Sequence, residues 1–294
     1  MRLTLFLLSS LFFCAVLLVP ARAGGVVSVV AAENVWGDVA VQLGGKNVAV
    51  SSIISAPEAD PHLFEPTPAT ARAIAEASVA IANGAGFDPW MDRLVAARGV
   101  GVAFLRVSDV AGWHDGENQH LWFDPDAVAK MATAFVAALH GAGAGSDADG
   151  RLAGLDRDVA ALKERIAGMR RRFGGARISA TEPLLGHLTS ELGLVTENDA
   201  FQLAVMNDVE PGPAEVARFE GDLRGGRLRL LIYNEQTVTP SASRLLGIAH
   251  QVGVPCVAVT ETLPPAMHWQ GWMTRILDLI EQALEQPDRV AGAR

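Results

Sequence analysis

Short apolar runs alternate with amphipathic stretches along most of the chain, and this alternation carries the fold prediction. Apolar runs of about four to eight residues predict strands, and apolar residues three or four positions apart predict helices. The predicted strands are 26–31, 47–54, 79–82, 177–181, 228–233 and 256–259, and the predicted helices are 34–43, 67–77, 89–97, 183–192, 214–223, 240–252 and 267–284. This strand–helix rhythm is typical of an α/β fold with parallel sheets covered by helices.

A long helix is predicted near the middle of the chain. Its apolar residues recur at three- and four-residue steps: Leu152, Leu155, Val159, Leu162, Ile166, Met169 and Phe173. This spacing predicts a helix of about six turns. We interpret it as a spine that joins two α/β lobes with parallel sheets. The N-terminal lobe then spans residues 24–145, the linking helix 146–175, and the C-terminal lobe 176–294.

The first 23 residues have the pattern of a secretory signal peptide. Arg2 precedes an almost unbroken apolar run over 3–19, and Ala21-Arg22-Ala23 is a small-x-small cleavage sequence. A retained membrane anchor is the alternative, but the run is near the lower length limit for a spanning helix. We therefore expect a periplasmic protein whose leader is cleaved after Ala23.

The charge of the chain narrows the classes of partner. It has 24 basic and 33 acidic residues, a net charge of −9, and loss of the leader removes only the bases Arg2 and Arg22. An acidic surface argues against binding of nucleic acid and of anionic lipid. Cys256 is the single cysteine outside the leader, so no internal disulfide is expected, and its apolar surroundings predict an unreactive thiol.

Two histidines of the first half stand in similar settings. His62 lies in a proline-stiffened loop between a predicted strand and a predicted helix, where ligands bind in open α/β sheets. His120 lies just before Asp124 and Pro125, which predict a helix start. Each histidine alone reads as an ordinary surface or hydrogen-bonding residue, and the pair leaves that interpretation and metal ligation about equally supported.

The second half supplies two carboxylates at comparable places. Glu182 follows strand 177–181 at the start of predicted helix 183–192, and Glu261 follows strand 256–259. Together with the two histidines they form a plausible four-ligand site, and this donor set suits Zn²⁺, Mn²⁺ or Fe²⁺. Polar loop residues at 207–208 and 234–236 would orient the ligands through hydrogen bonds, with Asn207, Asp208 and Glu235 as the chosen candidates.

At these residues the sequence resembles the metal-binding solute-binding proteins of zinc and manganese ABC transporters. The segments that carry the resemblance are 60–68 (DPHLFEPTP), 83–91 (NGAGFDPWM) and 119–125 (QHLWFDP). The resemblance implies that His62 and His120 are ligands from the N-terminal lobe. In the second half many members have histidine where this chain has Glu182, and commonly aspartate where it has Glu261, so those two assignments depend on the carboxylates serving instead.

The resemblance also implies a function and its partners. A protein of this kind captures zinc or manganese and hands the ion to a permease and its ATPase; we expect a monomer that is not an enzyme. A metal-dependent cell-surface adhesin is the alternative, although no lipid-attachment sequence surrounds Cys14. A zinc hydrolase ranks third, because the sequence has no His-Glu-x-x-His or Gly-x-Ser-x-Gly segment.

Overall fold

The computed structural model describes residues 25–56, 61–99, 101–207, 209–237 and 239–286, without the side chain of His62. The proposed leader lies outside these residues. The strands are β1 Val27–Glu33, β2 Val48–Ile54, β3 Val79–Ala82, β4 Ala103–Arg106, β5 Arg177–Ala180, β6 Val195–Glu197, β7 Leu230–Asn234 and β8 Cys256–Val259. The helices are α1 Asn34–Gly44, α2 Pro68–Glu76, α3 Pro89–Arg98, α4 Val107–Ala111, α5 Pro125–Gly141, α6 Ala148–Phe173, α7 Gly186–Glu191, α8 Asp199–Met206, α9 Pro213–Arg224, α10 Pro240–Val252 and α11 Trp269–Glu285.

The strands form two four-stranded parallel sheets with the same topology. The first has the order β2-β1-β3-β4 and the second β6-β5-β7-β8. The strand order reverses between β1 and β3 in the first sheet and between β5 and β7 in the second. Such a switch point opens a crevice at the carboxyl ends of the two strands. The two-lobed α/β fold predicted from the sequence is confirmed.

Helix α6 joins the lobes and shares one hydrophobic core with both. Its buried stripe contains Leu155, Val159, Leu162, Ile166 and Met169, five of the seven residues that the spacing predicted. This stripe belongs to a continuous cluster of buried side chains that reaches from β1 through α5 to β5 and α11. The lobes are therefore packed on a common apolar interior.

The first and last helices of the described chain also meet. Asp38 of α1 accepts a hydrogen bond from the backbone N–H of Trp269 at 2.8 Å, and its other oxygen lies 2.7 Å from Nδ1 of His268. One turn further along α1, Gln42 and Gln270 exchange side-chain hydrogen bonds. The first and last described helices are thus joined by side-chain hydrogen bonds.

Several local predictions need correction. Residues 183–185 form a turn, and α7 begins only at Gly186, so Glu182 lies before that turn and not at a helix start. The short elements β4, α4, β6 and α8 were not predicted. Within the described residues, no helix combines the length and the apolar character needed to cross a membrane.

Candidate metal centre between the lobes

The residues proposed as ligands lie on loops at the carboxyl ends of the strands or beside them. His62 is in a short 3₁₀ helix in the connection after β2, although its side chain is outside the described residues. His120 precedes another 3₁₀ helix, Leu121–Phe123, ahead of α5. Glu182 follows β5, at the switch point of the second sheet, and Glu261 follows the edge strand β8.

His120 is fully buried in an aromatic enclosure. Its ring lies 5.9 Å from the ring of Phe87 and 5.5 Å from that of Trp122, in edge-on contacts. Its backbone N–H donates to Oδ1 of Asn118 at 2.8 Å, and its Nδ1 lies 2.9 Å from the same oxygen. An imidazole held on several sides loses little conformational freedom when it binds a ligand.

The two carboxylates are buried as deeply as the histidine. Glu182 and Glu261 are each 2% exposed. Oε1 of Glu261 accepts a hydrogen bond from Nδ2 of Asn234 at 2.6 Å, and its backbone N–H donates to Oε1 of Gln236 at 2.6 Å. Ionised carboxylates are costly to bury, and a cation compensates them more effectively than a neutral amide.

Side chains bridge the lobes directly beside these residues. Nδ2 of Asn118 donates to the carbonyl oxygen of Pro183, next to Glu182. Asn34 exchanges two hydrogen bonds with the backbone of Leu263, two residues after Glu261, at 2.8 and 2.9 Å. The loop of each carboxylate is therefore tied to the N-terminal lobe by hydrogen bonds.

A second pair of buried acids lies at the switch point of the first sheet. Glu33 ends β1, and its buried carboxyl group lies close enough to that of Asp88 for the two to interact. Burial raises the pKa of Asp88 to about 6, while burial and the neighbouring Asp88 raise the pKa of Glu33. Because both oxygens of Asp88 accept backbone N–H bonds at 2.7 Å, from Asn83 and Gly84, we place the shared proton on Glu33.

The turn held by Asp88 supports the His120 loop. Gly84 has a φ of +73°, and a Cβ there would lie 2.2 Å from Oγ of Ser108, so only glycine fits. Nδ2 of Asn83, at the start of this turn, donates to the carbonyl oxygen of Gln119 at 2.9 Å. The backbone just before His120 is thus fixed to the end of β3.

Two of the residues chosen to orient the ligands are exposed. Asn207, just after α8, donates to the carbonyl oxygen of Leu203 in that helix, and Glu235 follows β7. Asp208 lies outside the described residues. Instead, the side chains of Asn118, Asn234 and Gln236 form hydrogen bonds with the candidate ligand residues His120 and Glu261. Of these, only Asn118 was absent from the polar loop groups considered in the sequence.

An acidic cluster on the surface has a different character. Carboxylate oxygens of Asp124, Asp126 and Glu191 lie within 4.8 Å of one another. Asp124 caps α5 through the N–H of Asp126, and Lys163 forms an ion pair with Asp126 at 2.6 Å. The cluster is therefore accounted for by helix capping and an exposed ion pair.

Comparison with known proteins places this chain in a family. Residues 29–283 match the family described as ZnuA, zinc-uptake complex component A, periplasmic. The chain belongs to this family. The resemblance read from the three motif segments is thereby confirmed.

One relative by sequence and two solved structures are similar to this ZnuA-family protein. The manganese-binding lipoprotein MntA of Halalkalibacterium halodurans is 31% identical over 107 residues, which is 35% of each chain, so the match spans about a third of that relative. The solved structure of the periplasmic zinc-binding protein TroA from Treponema pallidum is 16% identical and has a TM-score of 0.73, covering 88% of this chain and 99% of that one. A mutant of the laminin-binding adhesin Lmb from Streptococcus agalactiae is 15% identical with a TM-score of 0.72, covering 88% of this chain and 100% of the adhesin.

Proposed function

We propose that this protein captures a divalent transition metal, Zn²⁺ or Mn²⁺, outside the cytoplasm and delivers it to an ABC importer. The observation that carries the proposal is the donor set between the lobes. Buried His120 lies in one lobe and buried Glu182 and Glu261 lie in the other, and interlobe hydrogen bonds join residues next to or near them in sequence. His62, in the loop after β2, completes four ligands of the types that these two ions accept.

Capture in this proposal needs no covalent chemistry. The neutral imidazoles and the ionised carboxylates replace the water shell of the ion as it enters the cleft. Because these ligands must be deprotonated, affinity falls as the pH drops and the histidines take up protons. Four protein ligands leave no open position for a substrate, which separates this site from a catalytic zinc site.

The family description and the names of two similar proteins support the proposal. The family description names a component of an uptake complex, not an enzyme. One relative is named as manganese-binding and one solved structure as zinc-binding. Delivery to a permease and its ATPase, a cleaved leader at residues 1–23 and a monomeric state complete the proposal.

The proposal is tested by metal analysis of the purified protein with competitive titration of Zn²⁺ against Mn²⁺. We expect one equivalent of metal, and the competition ranks the two ions. Metal at about a hundred times its dissociation constant should stabilise the fold by about 2.7 kcal/mol. His120→Ala should abolish stoichiometric binding, whereas His140→Ala, which removes a surface histidine paired with Asp149, should not. A melting temperature unchanged by Zn²⁺, Mn²⁺ and Fe²⁺ would contradict the proposal.

An adhesin is the second candidate, and the likeness of the fold to Lmb favours it. An adhesin of this fold would bind a host matrix protein directly. Immobilised laminin is the appropriate probe. Retention of the wild-type protein on laminin but not on an albumin-coated surface would support the second candidate over the transport role.

A further inference from the structure

The hydrogen bonds around Asn118 leave a single orientation for its side-chain amide. Nδ2 faces the carbonyl oxygen of Pro183, which can only accept a hydrogen bond. Oδ1 therefore faces His120, and it accepts the backbone N–H of that residue at 2.8 Å. Since Oδ1 also can only accept, the ring Nδ1 that lies 2.9 Å from it must carry the proton.

This proton assignment determines which nitrogen of His120 can bind a metal. A neutral imidazole with its proton on Nδ1 has its lone pair on Nε2. Metal-binding histidines usually donate their other ring N–H to an oxygen atom, and this contact fixes both the tautomer and the ring orientation. In this protein that oxygen belongs to a side chain that also binds the opposite lobe.

We propose that Asn118 is a positioning residue that sets the tautomer of His120 and couples it to the Glu182 loop. The inference deepens the proposed function, on which its metal-binding part rests. One amide holds His120 through its oxygen and the backbone next to Glu182 through its nitrogen. When the C-terminal lobe shifts, the amide loses its Pro183 anchor, and the acceptor for Nδ1 becomes free to rotate away from His120.

Two neighbours, His187 and Gly186, hold Asn118 in place and leave room for its side chain. Nε2 of His187 lies 2.9 Å from the backbone carbonyl oxygen of Asn118, so it donates there and holds the main chain from the C-terminal lobe. A Cβ at Gly186 would lie 2.6 Å from Nδ2 of Asn118. Any larger residue at position 186 would therefore crowd the Asn118 amide. Asn118 and Gly186 also line a cavity of about 450 Å³, which gives a displaced amide room to move without unfolding the lobe.

The test combines a measurement of the His120 tautomer with a measurement of zinc affinity. The ¹⁵N shifts of the His120 ring are recorded on metal-free protein at about pH 8, where an ordinary histidine is neutral. Zinc affinity is measured by competition with a chromophoric chelator. We expect wild-type His120 to be the Nδ1–H tautomer, and Asn118→Leu to give a mixture of tautomers and about 10–100-fold weaker zinc binding.

Three further variants separate positioning from a general loss of structure. Asn118→Asp keeps an acceptor for Nδ1, so it should keep the tautomer and bind zinc more tightly than Asn118→Leu does. Gly186→Ala should weaken zinc binding by pushing the amide, although it leaves Asn118 itself unchanged. Asn47→Leu is the matched control, because it removes an asparagine hydrogen bond to a distant carbonyl, that of Ala144. It should change neither the tautomer nor the affinity.

The outcomes distinguish this inference from the proposed function. If Asn118→Leu retains the Nδ1–H tautomer and binds zinc within twofold of wild type, the inference is wrong and metal capture stands. If Asn118→Asp loses the tautomer as fully as Asn118→Leu does, the acceptor role of Oδ1 is wrong. If the wild-type protein binds neither zinc nor manganese, the proposed function fails, and the ring shifts still decide whether Asn118 sets the tautomer.

Discussion

At the scale of single residues, the buried carboxyl pair Glu33–Asp88 makes stability depend on pH. Both groups have a pKa above the ordinary value, that of Asp88 at about 6. The folded protein therefore retains a proton that the unfolded chain releases. The stabilisation from this pair is complete below about pH 4, the ordinary carboxyl range, and is lost as the pH rises through 6 and above.

Glu33→Gln should remove most of the loss of stability at high pH, because a neutral amide can donate a hydrogen bond to Asp88 at every pH. We expect the free energy of unfolding of the variant, relative to wild type, to increase by at least about 1.4 kcal/mol between pH 5 and pH 8, the equivalent of one pKa unit. Urea unfolding of metal-free protein at the two pH values measures it. Glu76→Gln, at an exposed position of α2, is the control and should show no such increase. An equal gap between wild type and Glu33→Gln at both pH values would be evidence against a shared proton.

Residue types and their neighbours in sequence were enough to choose part of the candidate site. His120, Glu182 and Glu261 stand beside prolines, aromatic residues or strand ends in the sequence, and all three are buried in the fold. Asn118 could not be identified in this way, because its partner Pro183 is 65 residues away. Hydrogen bonds across the lobes depend on the packed fold, which has no local sequence signal.

At the scale of elements, the four that were not predicted are short, with three to eight residues each. The stripe of α6 and the apolar runs of β3, β7 and β8 gave clear periodic signals. The missed strands β4 and β6 are edge strands of four and three residues, and no residue of either is fully buried. Short edge strands bury too little apolar surface to produce a pattern.

The stripe of α6 should stabilise both lobes at once. Leu162 is buried in the core that the lobes share. Leu162→Ala removes apolar contacts and leaves a cavity, so we expect it to lower the free energy of unfolding by about 2–5 kcal/mol. Urea unfolding followed by circular dichroism and by tryptophan fluorescence should give coincident transitions for this variant. The exposed Glu164→Ala, on the same helix, should change stability much less; two separate transitions in wild type would contradict a shared core.

At the scale of the whole molecule, the shared core limits how the cleft opens. Trp269 donates from Nε1 to the carbonyl oxygen of Trp122 at 2.8 Å, and the rings of Phe123 and Trp272 lie 5.0 Å apart. These contacts join the aromatic base of the His120 loop to α11. A wide rotation of the lobes would have to expose this interior, whereas small tilts and loop shifts would not.

Spin labels on opposite lobes should report only a small movement. Arg93→Cys on α3 and Arg218→Cys on α9 are exposed positions, and Cys256→Ala removes the native thiol. We expect the distance between labels to change by less than about 2 Å on metal binding, as in preorganised complexes. The measurement is pulsed electron resonance with and without one equivalent of Zn²⁺. A shift of many ångströms would show that α6 acts as a hinge and not as a rigid spine.

The contact between α1 and α11 has a consequence for how the protein is made. Asp38 and Gln42 emerge early in synthesis, but their partners His268, Trp269 and Gln270 are more than two hundred residues further along the chain. The apolar interior on which both lobes depend cannot close until the last helix has left the ribosome. Contacts of such long sequence separation form slowly. A nascent chain of this protein therefore stays incompletely folded through most of translation, which is the state that a translocation channel for unfolded polypeptides can accept.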